Sequence, residues 1–207
     1  MVPRWPRSYF KTLTSLSRIN LLRELQVKGP RSIAELAEAT GLHHNTAREH
    51  LHQLIEVGLV RSETIPRTGK GRPKLRYRTT TDSNDPTRPI RLRAADSRTA
   101  QYHRLLPPHE AEADHTALNH QLDLLDDHMD QCGFDAEIAP DAGTMTMHDC
   151  PFSALAKDHP QVCEVHFALV KDALRLADGP LRARALHPFS GPYDCTVDLD
   201  TDPTPAG

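Results

Sequence analysis

Three cysteines in the last third of the chain lie in settings that suit metal binding. Cys150 precedes Pro151, a residue favoured at the start of a helix, and Cys163 falls in the first turn of the next predicted helix. Helix N-termini carry partial positive charge, which stabilises the thiolate form that binds metals. Cys195 stands at an inward position of a predicted strand. The three sulfurs are therefore candidate ligands of one metal centre, and the alternative is that each is a buried packing residue.

The elements that would position these cysteines follow from the hydrophobic pattern. A leucine and methionine stripe (Leu118, Leu122, Leu125, Met129) predicts an amphipathic helix, which either packs internally or pairs two subunits. Strands are then predicted at 134–138, 144–148, 181–187 and 194–199, and helices at 151–157 and 161–177. This order predicts an α+β domain. Cys132 stands beside the helix stop at Gly133 and is interpreted as a packing residue.

Residues 32–79 have the pattern of two helices, a tight turn and a basic hairpin. Ser32 and Glu35 have the spacing of a capping box, and Gly41 ends the first helix because glycine adopts the left-handed conformation without steric cost. A second helix over 44–57 ends at Gly58. Such a short glycine-containing turn sets the second helix across the first, as in a helix-turn-helix motif.

The outer face of the second helix carries residue types that contact base edges in the major groove. They are His44, Asn45, Thr46, Arg48, Glu49 and His52. The hairpin that follows predicts a β-ribbon whose cations suit phosphates or a minor groove. They are Arg67, Lys70, Arg72 and Lys74. A surface hairpin without function is the alternative, but turn, helix face and basic ribbon occur together and in order.

Over roughly residues 13–80 the sequence resembles the winged-helix domain of ArsR-like bacterial regulators. The resemblance is carried by the run ELAEATGLHHNTAREHLHQLIEVGLV and by the wing GRPKLRYR. It implies an N-terminal winged helix-turn-helix domain that binds double-stranded promoter DNA. We expect a homodimer, because two half-sites about one DNA turn apart require two recognition helices.

A second run, MHDCPFSALAKDHPQVCEVH followed by GPYDCTVDL, is similar to the sensor half of SufR-type repressors. The resemblance implies an iron–sulfur cluster with Cys150, Cys163 and Cys195 as ligands. No fourth cysteine follows, which departs from the four-thiolate pattern of such clusters. His187, assigned to an inward register near Cys195, and His166, one turn after Cys163, are the candidate fourth ligands. An open coordination position is the other alternative.

Length and charge divide the chain in two. Its 207 residues allow two modest domains, predicted at 1–80 and 109–207 with a partly ordered connector at 81–108. Residues 1–80 carry 15 Lys+Arg and 6 Asp+Glu (15 − 6 = +9), and the remainder carries 10 and 22 (10 − 22 = −12). The basic half suits a polyanion. No apolar run predicts a membrane span or a signal peptide, so we expect a cytoplasmic protein with reduced thiols.

Three functions are compared. The leading hypothesis is a homodimeric DNA-binding repressor that responds to an iron–sulfur cluster. The second replaces the cluster with zinc, for which three sulfurs and one imidazole make an acceptable tetrahedral site, or with an apolar small molecule. The third is a metal-dependent hydrolase or thiol enzyme fused to a winged helix, which requires a general base beside the nucleophile. The sequence has no such pairing, and we expect no enzymatic activity.

Overall fold

The structure is a computed structural model that describes residues 9–65, 74–80, 86, 88–105 and 117–201. Its helices are α1 (Tyr9–Leu13), α2 (Leu16–Lys28), α3 (Ile33–Thr40), α4 (His44–Glu56), α5 (Arg88–Leu105), α6 (Ala117–Cys132), α7 (Ser153–Asp158) and α8 (Gln161–Leu176). Its strands are β1 (Val60–Ile65), β2 (Lys74–Thr79), β3 (Asp135–Ala139), β4 (Thr144–His148), β5 (Leu181–His187) and β6 (Cys195–Thr201). A short 3-10 helix, Pro140–Ala142, joins β3 to β4.

Helices α3 and α4 form the predicted helix-turn-helix. A capping box starts α3, in which the amide of Glu35 donates to the Ser32 hydroxyl and the amide of Ser32 donates to Glu35 Oε2 at 2.7 Å. Gly41 ends α3 with φ +66°, a conformation that glycine adopts without strain. Helix α4 then buries Ala47, Leu51 and Leu54 on its inner face. The local rules of capping and glycine stops therefore set both helix boundaries here.

Strands β1 and β2 pair in antiparallel fashion, with Val60 opposite Thr79, as the sequence predicts. Arg31 forms an isolated antiparallel β-bridge with Tyr77 of β2. The Arg31 amide donates to the Tyr77 carbonyl at 2.9 Å, and the Tyr77 amide donates to the Arg31 carbonyl at 2.7 Å. These bonds tie the hairpin to the start of α3. The hairpin tip, 66–73, lies outside the described residues together with three predicted DNA contacts, Arg67, Lys70 and Arg72.

Helix α5 occupies most of the segment for which the sequence predicts a partly ordered connector. Ala95 is buried in a small cluster with Leu124 of α6 and Ala177. The Nε and Nη2 atoms of Arg98 donate to the two carboxylate oxygens of Asp127, at 2.6 and 2.7 Å. The sequence predicts a partly ordered connector here, and the structure has a regular helix over 88–105. Its apolar contacts come mainly from Ala95 and Leu92, a face too narrow to give apolar periodicity. The domain boundaries themselves remain a prediction.

The remaining strands form one antiparallel sheet with the order β3-β4-β6-β5. Its buried face carries Met145, Met147, Cys195 and Val197, and helices α6 and α8 pack beside it. The elements agree closely with the predicted strands and helices, so the α+β fold is confirmed. None of the helices in the described residues is both long and apolar enough to cross a bilayer.

A bulge in β5 changes the face on which its last residues lie. The pairing with β6 shifts between Ala183 and Ala185, so that Leu186 opposes Val197 and turns inward. His187 is exposed, with its Nε2 2.8 Å from the carboxylate of Asp198. The expectation that His187 faces inward is wrong, because one extra residue reverses the alternation of side chains along a strand.

Both halves of the chain contribute to one hydrophobic core cluster. Helix α2 of the N-terminal half packs on α8, and the contact carries an ion pair between Arg23 Nε and Glu164 Oε2 at 2.6 Å. Helix α1 packs on α6, where Phe10 lies against Phe152 and Gly133. Helix α8 therefore contacts α2 of the N-terminal half on one side and β5 of the sheet on the other.

Gln121 fixes the junction between α8 and β5. Its fully buried side chain donates from Nε2 to the Leu174 carbonyl at 2.7 Å, and its Oε1 accepts from the Leu181 amide at 2.7 Å. The side chain thus satisfies two backbone groups that have no water within reach.

Replacing Gln121 with Leu should lower the free energy of unfolding by about 1–3 kcal/mol, because it leaves the Leu174 carbonyl and the Leu181 amide buried without partners. Denaturant unfolding followed by circular dichroism measures the change. Asp126→Ala, at an exposed position of the same helix, is the control and should stay within about 0.5 kcal/mol of the unsubstituted chain. Equal stabilities of the two variants would contradict the proposed bridging role.

Candidate DNA-binding surface and metal-binding residues

The outward face of α4 presents all six predicted base-contacting residues to solvent. They are His44, Asn45, Thr46, Arg48, Glu49 and His52. The Nδ1 atom of His43 accepts the Asn45 amide at 3.3 Å and so caps the helix, while Arg48 Nη1 donates to Asn45 Oδ1 at 2.9 Å. This pair holds the guanidinium near the N-terminal end of α4. The face therefore offers donors suited to purine edges.

The described part of the hairpin continues the same positive surface. Lys74 and Arg76 are exposed on β2, whereas Arg61 and Arg78 flank Glu63, each at 3.6 Å. Leu75 between them is also exposed. Lys74 and Arg76 are thus exposed to solvent, and the phosphate contact of Lys74 stays a prediction.

The three predicted metal ligands line one small pocket. Cys150, Cys163 and Cys195 share it with Phe134, Met147, Phe152, Ala156, Val162, His166 and Leu186. Its free volume is about 20 Å³, close to the space of a single water molecule. All three thiols are free of disulfides. The fold therefore places sulfurs from distant positions in the sequence around one pocket, although the three sulfur atoms do not all lie within 4.8 Å of one another.

Each sulfur reaches the pocket through the local structure expected for it. Cys150 lies just before α7, where its amide donates to the Tyr193 carbonyl and its carbonyl accepts the Ser153 amide, both at 3.0 Å. Cys163 lies in the first turn of α8, and its amide donates to the Pro160 carbonyl at 3.0 Å. Cys195 begins β6 opposite Met147. One loop, one helix start and one strand start thus supply the three cysteines that line the pocket.

The thiols of Cys150 and Cys195 interact, and this interaction shifts their pKa values in opposite directions. A hydrogen bond from the Cys150 thiol, supported by the Phe189 amide, lowers the pKa of Cys195 to about 6. The same hydrogen bond, together with burial, raises the pKa of Cys150. Phe189 has φ +56°, a strained conformation for an aromatic residue, and it aims its amide at the sulfur. The pocket therefore favours one thiolate even without a cation.

The third sulfur remains protonated at neutral pH. Burial, and then the neighbouring Cys195, raise the pKa of Cys163 to about 11. Among the described residues, no positively charged side chain offsets this loss of solvation at Cys163. Binding a metal ion at Cys163 must therefore release a proton.

His166 is the imidazole that lines the cysteine pocket, and His187 is not. His166 is only 7 % exposed and stacks on Phe134 with ring centroids 4.2 Å apart. Its Nε2 is buried without a hydrogen-bond partner. Burial, and then His128, lower its pKa to about 3, so the ring is neutral and has a free lone pair.

A second group of ligand atoms lies on the other side of His166. Among the described residues, His128, Cys132 and His166 are the group of three whose ligand atoms all lie within 4.8 Å of one another. His128 Nε2 is 3.6 Å from Cys132 Sγ, and burial lowers the pKa of His128 to about 4. Sequence reasoning missed this group, since Cys132 was assigned to packing. The spacing of His128 and Cys132, one helical turn apart, was the available signal.

The comparisons with known proteins identify the N-terminal part of the chain. The helix-turn-helix domain family matches residues 13–63, which span α2 to most of β1. A search of curated proteins with the whole chain gives no match. Residues 13–63 are therefore a helix-turn-helix domain, as the sequence predicts for this part of the chain.

Proposed function

We propose that this chain is a cytoplasmic transcriptional repressor that binds promoter DNA as a homodimer. In this proposal, an iron–sulfur cluster held by Cys150, Cys163 and Cys195 sets its affinity for DNA. The observation that carries the proposal is that three cysteines line one pocket at the N-terminal end of α8. This helix packs on α2 of the DNA-binding domain.

The DNA-binding part rests on the exposed face of α4 and on charge. Residues 1–80 carry a net charge of +9 (15 − 6), which attracts the phosphate backbone. One α4 per chain contacts one half-site, so two chains are needed for two half-sites about one helical turn apart. Asn45 and Arg48 supply base contacts, and Lys74 supplies a phosphate contact.

The donors of the pocket fit an iron–sulfur cluster in type. Thiolates are the usual ligands of such clusters, and backbone amides at Phe152 and Phe189 already donate to the sulfurs of Cys150 and Cys195. Amide hydrogen bonds of this kind tune the reduction potential of a cluster. When bound, the group would supply sensitivity to oxidants and to iron supply. The protein's part is to hold the three sulfurs and exclude water.

A direct route connects the pocket to the DNA-binding domain. Glu164 is the residue after Cys163, and its carboxylate accepts from Arg23 of α2 at 2.6 Å. Gln161, in the same turn, donates to Asn20 of α2 at 3.4 Å. A change in the position of Cys163 therefore acts on α2 through neighbouring residues, and α2 packs on α4. We propose that this path adjusts the placement of the recognition helices.

Zinc in the cysteine pocket is the second candidate, and the size of the pocket favours it. A free volume of about 20 Å³ accommodates a single ion more readily than a cluster, which requires a larger pocket. The same volume argues against an apolar small molecule, because pockets for such ligands are roughly 300–1,000 Å³. Iron and sulfide analysis separates the first two candidates.

We further propose that the chain is not an enzyme. No carboxylate is among the residues that line the pocket, and Glu164, adjacent to Cys163, is paired with Arg23. His166 is fully buried and neutral. A hydrolase or thiol enzyme needs a base poised beside its nucleophile and accessible to substrate, so the arrangement supports ligand binding rather than turnover.

Single serine substitutions of Cys150, Cys163 and Cys195 should each remove most of the iron and sulfide from anaerobically purified protein. A hydroxyl replaces a thiolate poorly on iron. Metal analysis, acid-labile sulfide and absorbance near 400 nm give the result. The variants should also lose the cluster-dependent part of their DNA affinity.

Two substitutions serve as matched controls. Cys132→Ser removes a buried sulfur outside the pocket, and His187→Ala removes an exposed imidazole near Cys195 in sequence. Both should retain iron and sulfide. Full iron in Cys195→Ser would contradict the three-cysteine site, and zinc without sulfide in the unsubstituted chain, bound through these cysteines, would support the second candidate instead.

Replacing Arg48 with Ala should weaken binding to the cognate site by about 1–3 kcal/mol and affect random DNA much less, since a base contact discriminates between sequences. Fluorescence anisotropy with both duplexes measures the difference. Arg184→Ala, an exposed arginine of β5 paired with Asp200, is the charge-matched control. Equal losses on both duplexes would mean that Arg48 contacts only phosphate.

Replacing Lys74 with Ala should weaken binding to every duplex alike. The slope of log affinity against log salt concentration should fall by about 0.9 if one phosphate contact is lost. Titrations at several salt concentrations measure this slope. An unchanged slope would remove the exposed end of β2 from the DNA interface.

A further inference from the structure

We propose that His128, Cys132 and His166 form a zinc site of their own, separate from the cysteine pocket. The site joins α6 to α8, with two ligands from one helix and one from the other. Two imidazoles and one thiolate are a ligand set that zinc accepts, and three protein ligands leave a fourth position for water. All three side chains are buried.

The first argument is the distance between the two ligand atoms on α6. Bonds of about 2.0–2.1 Å to nitrogen and 2.3 Å to sulfur, at a tetrahedral angle, place the two atoms about 3.6 Å apart. The observed distance from His128 Nε2 to Cys132 Sγ is 3.6 Å. The helix therefore already holds these two atoms at the separation that a tetrahedral ion requires, without any change of rotamer.

The second, independent argument is the unpartnered Nε2 of His166. A buried polar atom without a hydrogen bond destabilises a fold by about 1–3 kcal/mol. Here the ring is 93 % buried, stacked on Phe134, and within reach of His128 and Cys132. A metal ion at this position removes the deficit, because the imidazole lone pair becomes a ligand.

The binding step balances simply. The Cys132 sulfur forms a bond to the ion, and its proton leaves to solvent, while the two neutral imidazoles contribute lone pairs and release no proton. The thiol–imidazole contact between Cys132 and His128 is replaced by two metal–ligand bonds. No oxidant or reductant takes part.

A cavity gives the ion a route to the site. It holds about 60 Å³ and is lined by Tyr9, His128, Asp127 and Asp172, among other residues. Its two carboxylates are balanced by the guanidinium groups of Arg91 and Arg98, which line the same cavity, so the cavity supplies space rather than net charge. Tyr9 of α1 covers His128, with ring centroids 6.0 Å apart, so the site closes beneath the first helix of the chain. Asp127 is held in place by Arg98.

Assigning His166 to this site leaves the cysteine pocket with three sulfurs from the protein. The two centres then have different ligands and different tests. A cluster in the cysteine pocket depends on Cys150, Cys163 and Cys195, and zinc depends on His128, Cys132 and His166. Failure of either proposal leaves the other standing.

The experiment uses the full chain, purified without air and carrying its iron. Equilibrium dialysis against Zn²⁺, followed by elemental analysis, should give one zinc per chain in addition to iron. X-ray absorption at the zinc edge should show one sulfur neighbour, with nitrogen or oxygen in the other positions. Three sulfur neighbours would place zinc in the cysteine pocket and overturn the proposal, as would an absence of bound zinc. This measurement needs no variant.

The substitutions Cys132→Ala and His128→Ala should each weaken zinc binding, measured by competition with a chromophoric chelator. The loss should exceed the roughly 100-fold that removal of an outer-shell partner costs. Cys195→Ser and His187→Ala are matched controls and should keep zinc. Thermal unfolding of the metal-free variants checks that each one folds. Unchanged zinc affinity in the two folded variants, or its loss in Cys195→Ser, would overturn the proposal.

Discussion

The burial of α8 is the interaction on which the rest of the structure depends. Val165, Leu169, Val170 and Leu174 of this helix are almost completely buried. Each such side chain contributes about 1.5–3 kcal/mol on transfer from water. Because the helix meets α2, α6 and β5 at once, the same apolar stripe joins the DNA-binding domain to the sheet. Cys163 and His166 are therefore positioned by packing rather than by a loop of their own.

The arrangement also explains why the acidic half can face the basic half without neutralising its DNA surface. The described contact between α2 and α8 uses one ion pair, Arg23 with Glu164, on the side of the domain built from α2. The six side chains on the outer face of α4 remain exposed. The outer face of α4 thus stays accessible, because α2 and not α4 makes the contact with α8.

Much of this organisation was predictable from the sequence, because it rests on local rules. Ser32, Glu35 and Gly41 set the boundaries of α3, and alternation placed Cys195 on the inner face of β6. The sequence was less informative where one residue altered a strand register or where a helix buries a narrow face. The bulge after Ala183 turned His187 outward, and α5 buries too little apolar surface to show helical periodicity.

The His128–Cys132–His166 group was missed for a different reason. His128 and Cys132 lie one turn apart on α6, a spacing visible in the sequence, but their partner lies on α8, more than thirty residues later. In a chain with thirteen histidines, one such spacing has little weight without the third ligand. Only the packing of α6 on α8 brings the three atoms together. The same packing buries His166 Nε2 without a hydrogen-bond partner, and this atom is the second observation that supports a metal site.

The position of His166 has a consequence for how a signal would travel. Its ring lies between Phe134 and His128, stacked at 4.2 and 6.1 Å, so it has little freedom to turn toward another centre. An ion on His166 would therefore anchor α8 one turn after Cys163. With the helix fixed there, a change at the cysteine pocket can move only the first turn of α8. That turn carries Gln161 and Glu164, whose side chains bond to α2, so the anchor would direct the movement toward the DNA-binding domain.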